Sequence, residues 1–529
     1  MTENVEGKSH SGVPGDTFSS KVSLNLVTNV LRTVIMALAG LLMVPYYIGE
    51  FGLATYAIIP LVVSITTYFI AISDSISSAF TRYMVITIQN NDSESINRVY
   101  STSVIGLSRV VMILTPIVIV LSLVSPYVFD IGSASVLDVQ LMFLMVILSS
   151  LIISFSSCIA SVFMAHNRLY VTYSSRIVQA LLQVGIVVLF LNIMEPSMTS
   201  VGFSYLFSSL VFIVMMLFYL RRVYPDIRFR RRLYDPVLMG EMGSIGLWAM
   251  ISELGTLLFI QASLVIVNLN LGSEAQGEFA IVSNLISMAN TACMAIAVTV
   301  VPLVYKSYAE GNIEKLVQYV SLFSKFAGLI MVLPIAYIIV FAPQVLGVWL
   351  GPGYDSLIPL ICLMLPAEVG VCTSSVMMQV PIAFKKVRRV AIISVLMGFL
   401  NIILAYAFLY ATDWGVYGVC IAWSVTILVL RLGIYPHYTS KLTGASLKQM
   451  LTGTAFSYVA LIALLVFGEI ISRFYVLPTT WFAIITSLLI GFMIYFILIV
   501  KIVFTKKERE VIVAFMPVSL QKYVGKYLQ

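Results

Sequence analysis

Three polar side chains share one face of the first apolar segment. Asn25, Asn29 and Arg32 are spaced at i, i+4 and i+7, which places them on the same side of a helix. Arg32 lies about 16 Å along the helix from Lys21, near the middle of a hydrocarbon core about 30 Å thick. A guanidinium can bind two phosphate oxygens at once. The pattern predicts a polar cavity in which Arg32 holds a phosphate group.

A carboxylate, Glu253, lies at a similar depth in the seventh apolar segment. Two interpretations are open. Glu253 is the counter-charge of Arg32 inside the cavity, or the two residues form a structural ion pair that locks the protein. Ionisable groups at membrane depth are costly and mark functional sites, which favours the cavity.

A second set of basic residues lies closer to one membrane surface. Arg82 and Lys306 end the second and eighth segments, and Arg109 and Lys325 lie in the third and ninth. Arg176 and Arg431 are at comparable depth. Together they predict a vestibule that attracts a polyanion. The alternative is that each side chain snorkels separately to the headgroups.

Two further carboxylates lie within apolar segments. Asp74 stands among small polar residues, and Glu368 lies between Pro366 and Pro381. Such carboxylates can carry protons or bind Na⁺, so both are candidates for ion coupling. The alternative for Glu368 is a hydrogen bond to backbone freed by Pro366.

The segments that position these residues are membrane spans. The chain has 529 residues, of which 60% are hydrophobic and 10% charged, and its mean hydropathy is +1.01. A span needs about 20 mainly apolar residues, and about fourteen segments meet that criterion. They are 22–47, 53–81, 100–125, 138–164, 169–193, 198–220, 242–270, 276–304, 316–346, 357–384, 390–411, 415–436, 447–471 and 480–503.

Alternate gaps between these segments differ in charge. One set of gaps holds nearly all the Lys and Arg, and the other set has only Arg473 as a basic residue. Short cytoplasmic loops retain Lys and Arg, so the basic side is the cytoplasm and both termini lie there. This rule accounts for the net charge of +7 without nucleic acid. The five cysteines have no metal or redox spacing and are expected to be packed or to face lipid, and the sequence predicts no metal site and no cofactor.

The two halves of the chain resemble each other. Gly49 matches Gly272 and Tyr56 matches Phe279 at one offset, and Arg82 matches Lys306 within one residue of it. Both halves begin on the same side, which predicts a parallel repeat of two six-helix lobes followed by two extra helices. The predicted parts are a disordered cytoplasmic tail (1–19), an N-lobe (20–222), a basic linker (223–240), a C-lobe (241–438), helices 13 and 14 (439–504) and an interfacial tail (505–529).

Two stretches carry a family resemblance. The turn from Pro45 to Tyr56, PYYIGEFGLATY, and the loop NRVYSTS from Asn97 to Ser103 resemble the polysaccharide transporter, or O-antigen flippase, family. That family belongs to the multidrug/oligosaccharidyl-lipid/polysaccharide exporter superfamily. The resemblance implies two six-helix bundles with alternating access and a polyprenyl-pyrophosphate-linked oligosaccharide as cargo, and it implies that the extra helix pair forms a groove for the lipid tail. A cationic cavity would receive the pyrophosphate; Arg32 fits it, and Glu253 departs from it.

The residues thus predict an all-α polytopic membrane protein that is a flippase of the cytoplasmic membrane rather than an enzyme. Its partners would be the lipid-linked oligosaccharide, membrane lipids, Na⁺ or H⁺, and a polysaccharide polymerase or glycosyltransferases. No phosphate-binding Gly-x-x-x-x-Gly-Lys-Ser/Thr loop is present, so energy would not come from nucleotide hydrolysis. One alternative is a multidrug exporter of the same fold, which would need an acidic cavity. Another is a membrane-embedded polymerase or glycosyltransferase, against which the short outer loops argue.

Overall fold

The described part of the chain is helical, as the sequence predicts. The computed structural model describes residues 18–89, 92–474 and 477–514, and these contain no strand. Thirteen helical stretches among them are long and apolar enough to cross a membrane. Most of the predicted N-terminal tail and most of the interfacial tail lie outside the described residues. The all-α polytopic fold is confirmed.

The chain separates into two compact units. The first contains the described residues up to Gly52 and Ile58–Glu253, and the second contains Leu53–Ala57 and the described residues from Leu254 onward. The first eight helices are α1 Phe18–Phe51, α2 Leu53–Tyr56, α3 Ile58–Gln89, α4 Ser93–Val128, α5 Val136–Phe155, α6 Ser157–Ala165, α7 Leu169–Ile193 and α8 Met198–Val223. The others are α9 Pro236–Ala309, α10 Ile313–Val340, α11 Ala342–Trp349, α12 Leu357–Ser375, α13 Gln379–Ala383, α14 Val387–Ala411, α15 Val416–Leu428, α16 Tyr435–Thr443, α17 Leu447–Phe474, α18 Trp481–Val503 and α19 Lys506–Ala514.

The long helix α9 contains two of the predicted spans. Its apolar part, Glu253–Ala309, has 57 residues, about 85 Å at 1.5 Å per residue, far more than one bilayer crossing needs. Gly272 interrupts it with φ 86° and ψ 179°, a conformation that only glycine adopts readily. At the turn between α1 and α2 the positive φ falls on Gly52 and not on Gly49. The two turns share a glycine with positive φ, which is Gly52 in the first turn and Gly272 in α9. The sequence comparison paired Gly272 with Gly49, three residues before Gly52.

Small residues set the packing of the first unit. A Cβ atom on Gly202 of α8 would lie 2.9 Å from the Met142 Cα atom of α5, so these two helices touch backbone to backbone. Buried serines are frequent, and their hydroxyls mostly donate to carbonyls three or four residues back, as Ser103 does to Val99 at 2.8 Å. Small side chains that satisfy their own hydroxyls let helices approach closely without a hydrophobic driving force.

The second unit incorporates the extra helix α17. α17 packs along α10 and α12, and a Cβ atom on Gly453 would lie 2.8 Å from the Lys325 Cα atom. A disulfide joins Cys293 of α9 to Cys372 of α12. Both cysteines are buried, as the sequence predicts, but the prediction did not include their pairing, because spacing along the chain says nothing of cysteines that two helices bring together. The buried Cys158 and Cys420 are free thiols.

Candidate functional site

The Arg32 side chain has an incomplete set of partners. It is half-buried on α1. Its Nη2 donates to Asn29 Oδ1 at 3.0 Å, and its guanidinium carbon lies 5.1 Å from the centre of the Tyr173 ring on α7. Its buried Nε has no hydrogen-bond partner. A guanidinium with a free donor held beside an aromatic ring is suited to an oxyanion.

A second arginine stands near Arg32. Arg176, one turn after Tyr173 on α7, donates from Nη1 to Gln179 Oε1 at 3.1 Å and lies 4.5 Å from the centre of the Phe212 ring. It interacts electrostatically with both Arg32 and Asp74. Asp74, on α3, interacts with Arg176 and Glu253. Here these four charged residues, Arg32, Arg176, Asp74 and Glu253, are called the charge cluster of the first unit.

The charge cluster unites residues that the sequence assigned to separate roles. Arg32 and Glu253 were predicted as a pair and Asp74 as a separate ion site, whereas Asp74 interacts with Glu253 in the cluster. The sequence assigned Arg176 to the basic vestibule and did not single out Tyr173. The i, i+3 spacing of Tyr173 and Arg176 was the available signal, since it puts both on one helix face.

Asn25 has a different task from its neighbours. Its Nδ2 donates to Asn167 at the backbone O (3.2 Å) and Oδ1 (2.9 Å), and its Oδ1 accepts from the Tyr170 backbone N–H at 2.7 Å. Asn167 has a positive φ of 56° in the turn between α6 and α7. Asn25 therefore positions the start of α7, and with it Tyr173 and Arg176, and offers no free donor to a ligand.

Four of the six basic residues predicted for the vestibule, namely Arg82, Lys306, Arg109 and Lys325, differ in their surroundings. Arg82 is exposed, and Lys306 is exposed with Glu310 at 3.8 Å. Such exposed i,i+4 pairs contribute little, so both cations remain accessible. Arg109 donates to the Tyr234 hydroxyl at 2.6 Å and stacks on its ring at 4.7 Å. Arg109 therefore holds the segment that precedes α9.

Lys325 is enclosed by the C-terminal helices. Its Nζ donates to the Val503 carbonyl at 2.8 Å and to both carboxylate oxygens of Glu508, and it lies 4.6 Å from the Phe504 ring centre. Glu508 also accepts from the Thr505 N–H at 2.8 Å, while Thr505 Oγ1 accepts from the Glu508 N–H. This reciprocal capping box starts α19. Lys325 thus anchors α19, a role that the sequence prediction did not include.

Replacing Glu508 should destabilise the second unit. Glu508→Ala leaves the ammonium of Lys325, only 8% exposed, without its counter-charge, at a cost of about 1–3 kcal/mol. We expect a lower melting temperature for the purified protein in detergent. Glu510→Ala is the matched control, because Glu510 is exposed on the same helix. Equal melting temperatures for the two variants would contradict the anchoring role.

The Glu368 carboxylate is buried in the second unit. It is 1% exposed, and its Oε2 has no hydrogen-bond partner. It interacts electrostatically with Arg431 and with Tyr458 of α17. The backbone hydrogen bond suggested as the alternative for Glu368 is not among those found in the described residues; instead, the Tyr458 hydroxyl donates to the Pro366 carbonyl at 3.2 Å.

Arg431 lies in a π-helical turn, Val429–Ile434, the kind of irregularity that is frequent at functional sites. Its Nη1 donates to the Met378 sulfur at 2.6 Å, and its buried Nε has no partner. A carboxyl group and a guanidinium are therefore buried near one another with unused hydrogen-bonding capacity, while no ion pair within 4.0 Å joins them in the described part of the chain.

A family model decides the identity of the chain. The model for the polysaccharide biosynthesis protein family matches residues 24–308, more than half of the chain. The chain belongs to this family. A relative in Bacillus subtilis (strain 168), the uncharacterized membrane protein EpsK, is 24% identical over 442 residues, covering 82% of this chain and 86% of EpsK.

Solved structures share the fold of this family member. The inward-facing conformation of a multidrug resistance MATE family transporter of the MOP superfamily aligns with a TM-score of 0.66 at 14% identity, over 84% of this chain and 98% of the transporter. The lipid II flippase MurJ in an inward closed conformation also aligns with a TM-score of 0.66 at 14% identity, over 90% of this chain and 99% of MurJ. At such identities the likeness shows the fold alone, and it agrees with the multi-pass helical architecture described above.

Proposed function

We propose that this protein is a flippase that moves a polyprenyl-pyrophosphate-linked oligosaccharide across the cytoplasmic membrane during surface polysaccharide synthesis. The observation that best supports this proposal is the charge cluster, in which the buried Nε of Arg32 has no hydrogen-bond partner and Arg176 lies nearby. A pyrophosphate bears charges on two adjacent phosphates, so a pair of guanidiniums matches it better than one does. Family membership supports the polysaccharide part of the proposal.

Asp74 and Glu253 give the charge cluster a second function within this proposal. Four charges near one another can exchange partners: the carboxylates neutralise the arginines when the site is empty, and the pyrophosphate replaces them when cargo binds. A charge left without a partner at membrane depth is costly, so this exchange keeps both arginines compensated through the cycle. We propose that the cycle is one of alternating access, with the cluster exposed to each side in turn.

The accessible cations Arg82 and Lys306 fit a role in cargo capture at the cytoplasmic side. In Arg82→Gln/Lys306→Gln we expect surface glycan to fall by about fivefold or more, because two attractive charges near the surface are lost. Each single variant should have a modest effect. Quantitative glycan blots of strains with equal protein levels measure this. If the double variant matches the parent, the two residues only snorkel.

For energy coupling, we propose a proton at Glu368. Arg431 and Tyr458 are the ionisable groups that face Glu368, and a guanidinium next to a carboxylate repels Na⁺. Uptake of a proton neutralises the carboxylate, and its release restores an attraction to Arg431. Glu368 can thereby alternate between a neutral and a paired state as the helices around it move.

The experiment for the proposed function is deletion of the gene followed by complementation. We expect the deletion strain to lose surface glycan and to accumulate oligosaccharide in the polyprenyl-pyrophosphate lipid fraction, which thin-layer chromatography and mass spectrometry measure. Restoration by the intact chain supports a flippase. Unchanged glycan together with greater drug sensitivity would favour a multidrug exporter. Loss of glycan with the full-length lipid-linked unit absent would point to an enzyme that acts earlier.

A further inference from the structure

The last turn of α8 and the segment that joins it to α9 are strongly basic and exposed. Residues 221–235 include six arginines and two aspartates, and all six arginines are exposed. None of the ion pairs found among the described residues involves them. Six guanidiniums against two carboxylates leave an excess of positive charge, which produces a positive surface at this end of the unit.

This segment is fixed against α4 by its backbone. Asn97 accepts from the Arg228 N–H at 2.7 Å and donates to the Asp226 carbonyl at 3.2 Å. One turn further along α4, Ser101 accepts from the Arg230 N–H at 2.9 Å, and Thr102 accepts from the Asp235 N–H at 3.1 Å. Polar side chains of α4 thus satisfy the backbone hydrogen-bonding groups of this segment.

The charge of this segment comes from its side chains, whereas its backbone holds it against α4. The hydrogen bonds from α4 use only the backbone of the segment. The Arg228 Nε donates to the Pro225 carbonyl at 2.9 Å, so the terminal nitrogens of Arg228 and the guanidinium of Arg230 stay available for a ligand. Phe229 lies between them and is 50% exposed. An exposed aromatic ring flanked by arginines is typical of a surface that meets headgroups and the acyl boundary.

We propose that residues 226–232 form a pre-organised site for anionic phospholipid headgroups, with Arg228 and Arg230 on the phosphates and Phe229 in the acyl boundary. A flexible basic linker would have to be ordered on binding, whereas this one is already held by Asn97 and Ser101. In the orientation that the charges of the loops predict, this site faces the inner leaflet of the membrane. It does not depend on the identity of the cargo.

The test is lipid retention by the purified full-length chain in detergent, measured by native mass spectrometry with phosphatidylglycerol and phosphatidylcholine of equal acyl chains. We expect preferential retention of phosphatidylglycerol. Arg228→Gln/Arg230→Gln should reduce that retention about tenfold or more, since each arginine contributes about fivefold near a membrane surface. Lys441→Gln/Lys448→Gln removes the same charge from exposed positions elsewhere and should match the parent.

A second variant separates pre-organisation from charge. Asn97→Ala/Ser101→Ala keeps every arginine but removes the hydrogen bonds that hold the backbone of the segment. We expect the preference for phosphatidylglycerol over phosphatidylcholine to fall by about threefold or more. The variant should still elute as a single species in size-exclusion chromatography. Parent-like retention in this variant would overturn pre-organisation. Equal retention of the two lipids by the parent, or displacement of the lipid by inorganic phosphate but not by chloride at equal ionic strength, would overturn the lipid assignment. Both readouts are independent of transport, so they fail or succeed separately from the flippase proposal.

Discussion

Arg32→Ala is expected to abolish surface glycan in cells that contain normal amounts of the protein in the membrane. The substitution removes the guanidinium whose buried Nε has no partner. It also leaves Asn29 and Tyr173 without the group they position. Charge-assisted hydrogen bonds are worth about 1.5–3 kcal/mol each, so loss of one phosphate contact should reduce transport at least tenfold. Glycan blots and an immunoblot of the membrane fraction measure the result.

Two further variants make this prediction specific to Arg32. Arg32→Lys keeps the charge but lacks the two-oxygen fork, so it should restore transport only in part. Arg98→Ala removes an exposed arginine paired with Glu94 at 3.8 Å, and it should transport like the parent. Normal glycan in a well-expressed Arg32→Ala strain would refute the proposed cargo site.

Glu368→Gln should stop transport while leaving the protein folded. Glutamine has nearly the shape of a protonated carboxyl group but never becomes charged. If Glu368 alternates between neutral and charged states, the variant holds the neutral one and the cycle halts. We expect at least a tenfold loss of surface glycan and a melting temperature close to that of the parent. Glu469→Gln, at an exposed position paired with Arg473, is the control and should leave transport unchanged.

A double variant distinguishes coupling from simple charge balance. If Glu368 serves only to compensate Arg431, then Glu368→Gln/Arg431→Gln removes both charges and should recover transport and stability. Under the coupling proposal the double variant stays inactive. Recovery of transport in it would reject Glu368 as the proton site, and the role of Arg32 would be unaffected.

Much of this protein follows from its sequence. Long apolar segments require helices, because a bilayer offers backbone groups no other partner. Because each residue of a helix adds a fixed rise, the spacing of Lys21 and Arg32 along the chain gives the depth of Arg32 in the membrane. The period of 3.6 residues places Asn25, Asn29 and Arg32 on one face, and the structure keeps Asn29 and Arg32 in contact at 3.0 Å.

Only the tertiary structure decided how these polar faces are used. Asn25 is bonded to a turn 142 residues away, and Lys325 to a carboxylate 183 residues away, so neither is the free cavity group that its position predicts. Arg176 lies near Arg32 because α7 packs along α1, and it also interacts with Asp74 of α3. Periodicity shows which face of a helix is polar, but the partner on that face depends on which helices pack together. Helix packing depends on close contacts of small residues, such as Gly202 against Met142. Such contacts have no periodic pattern in the sequence.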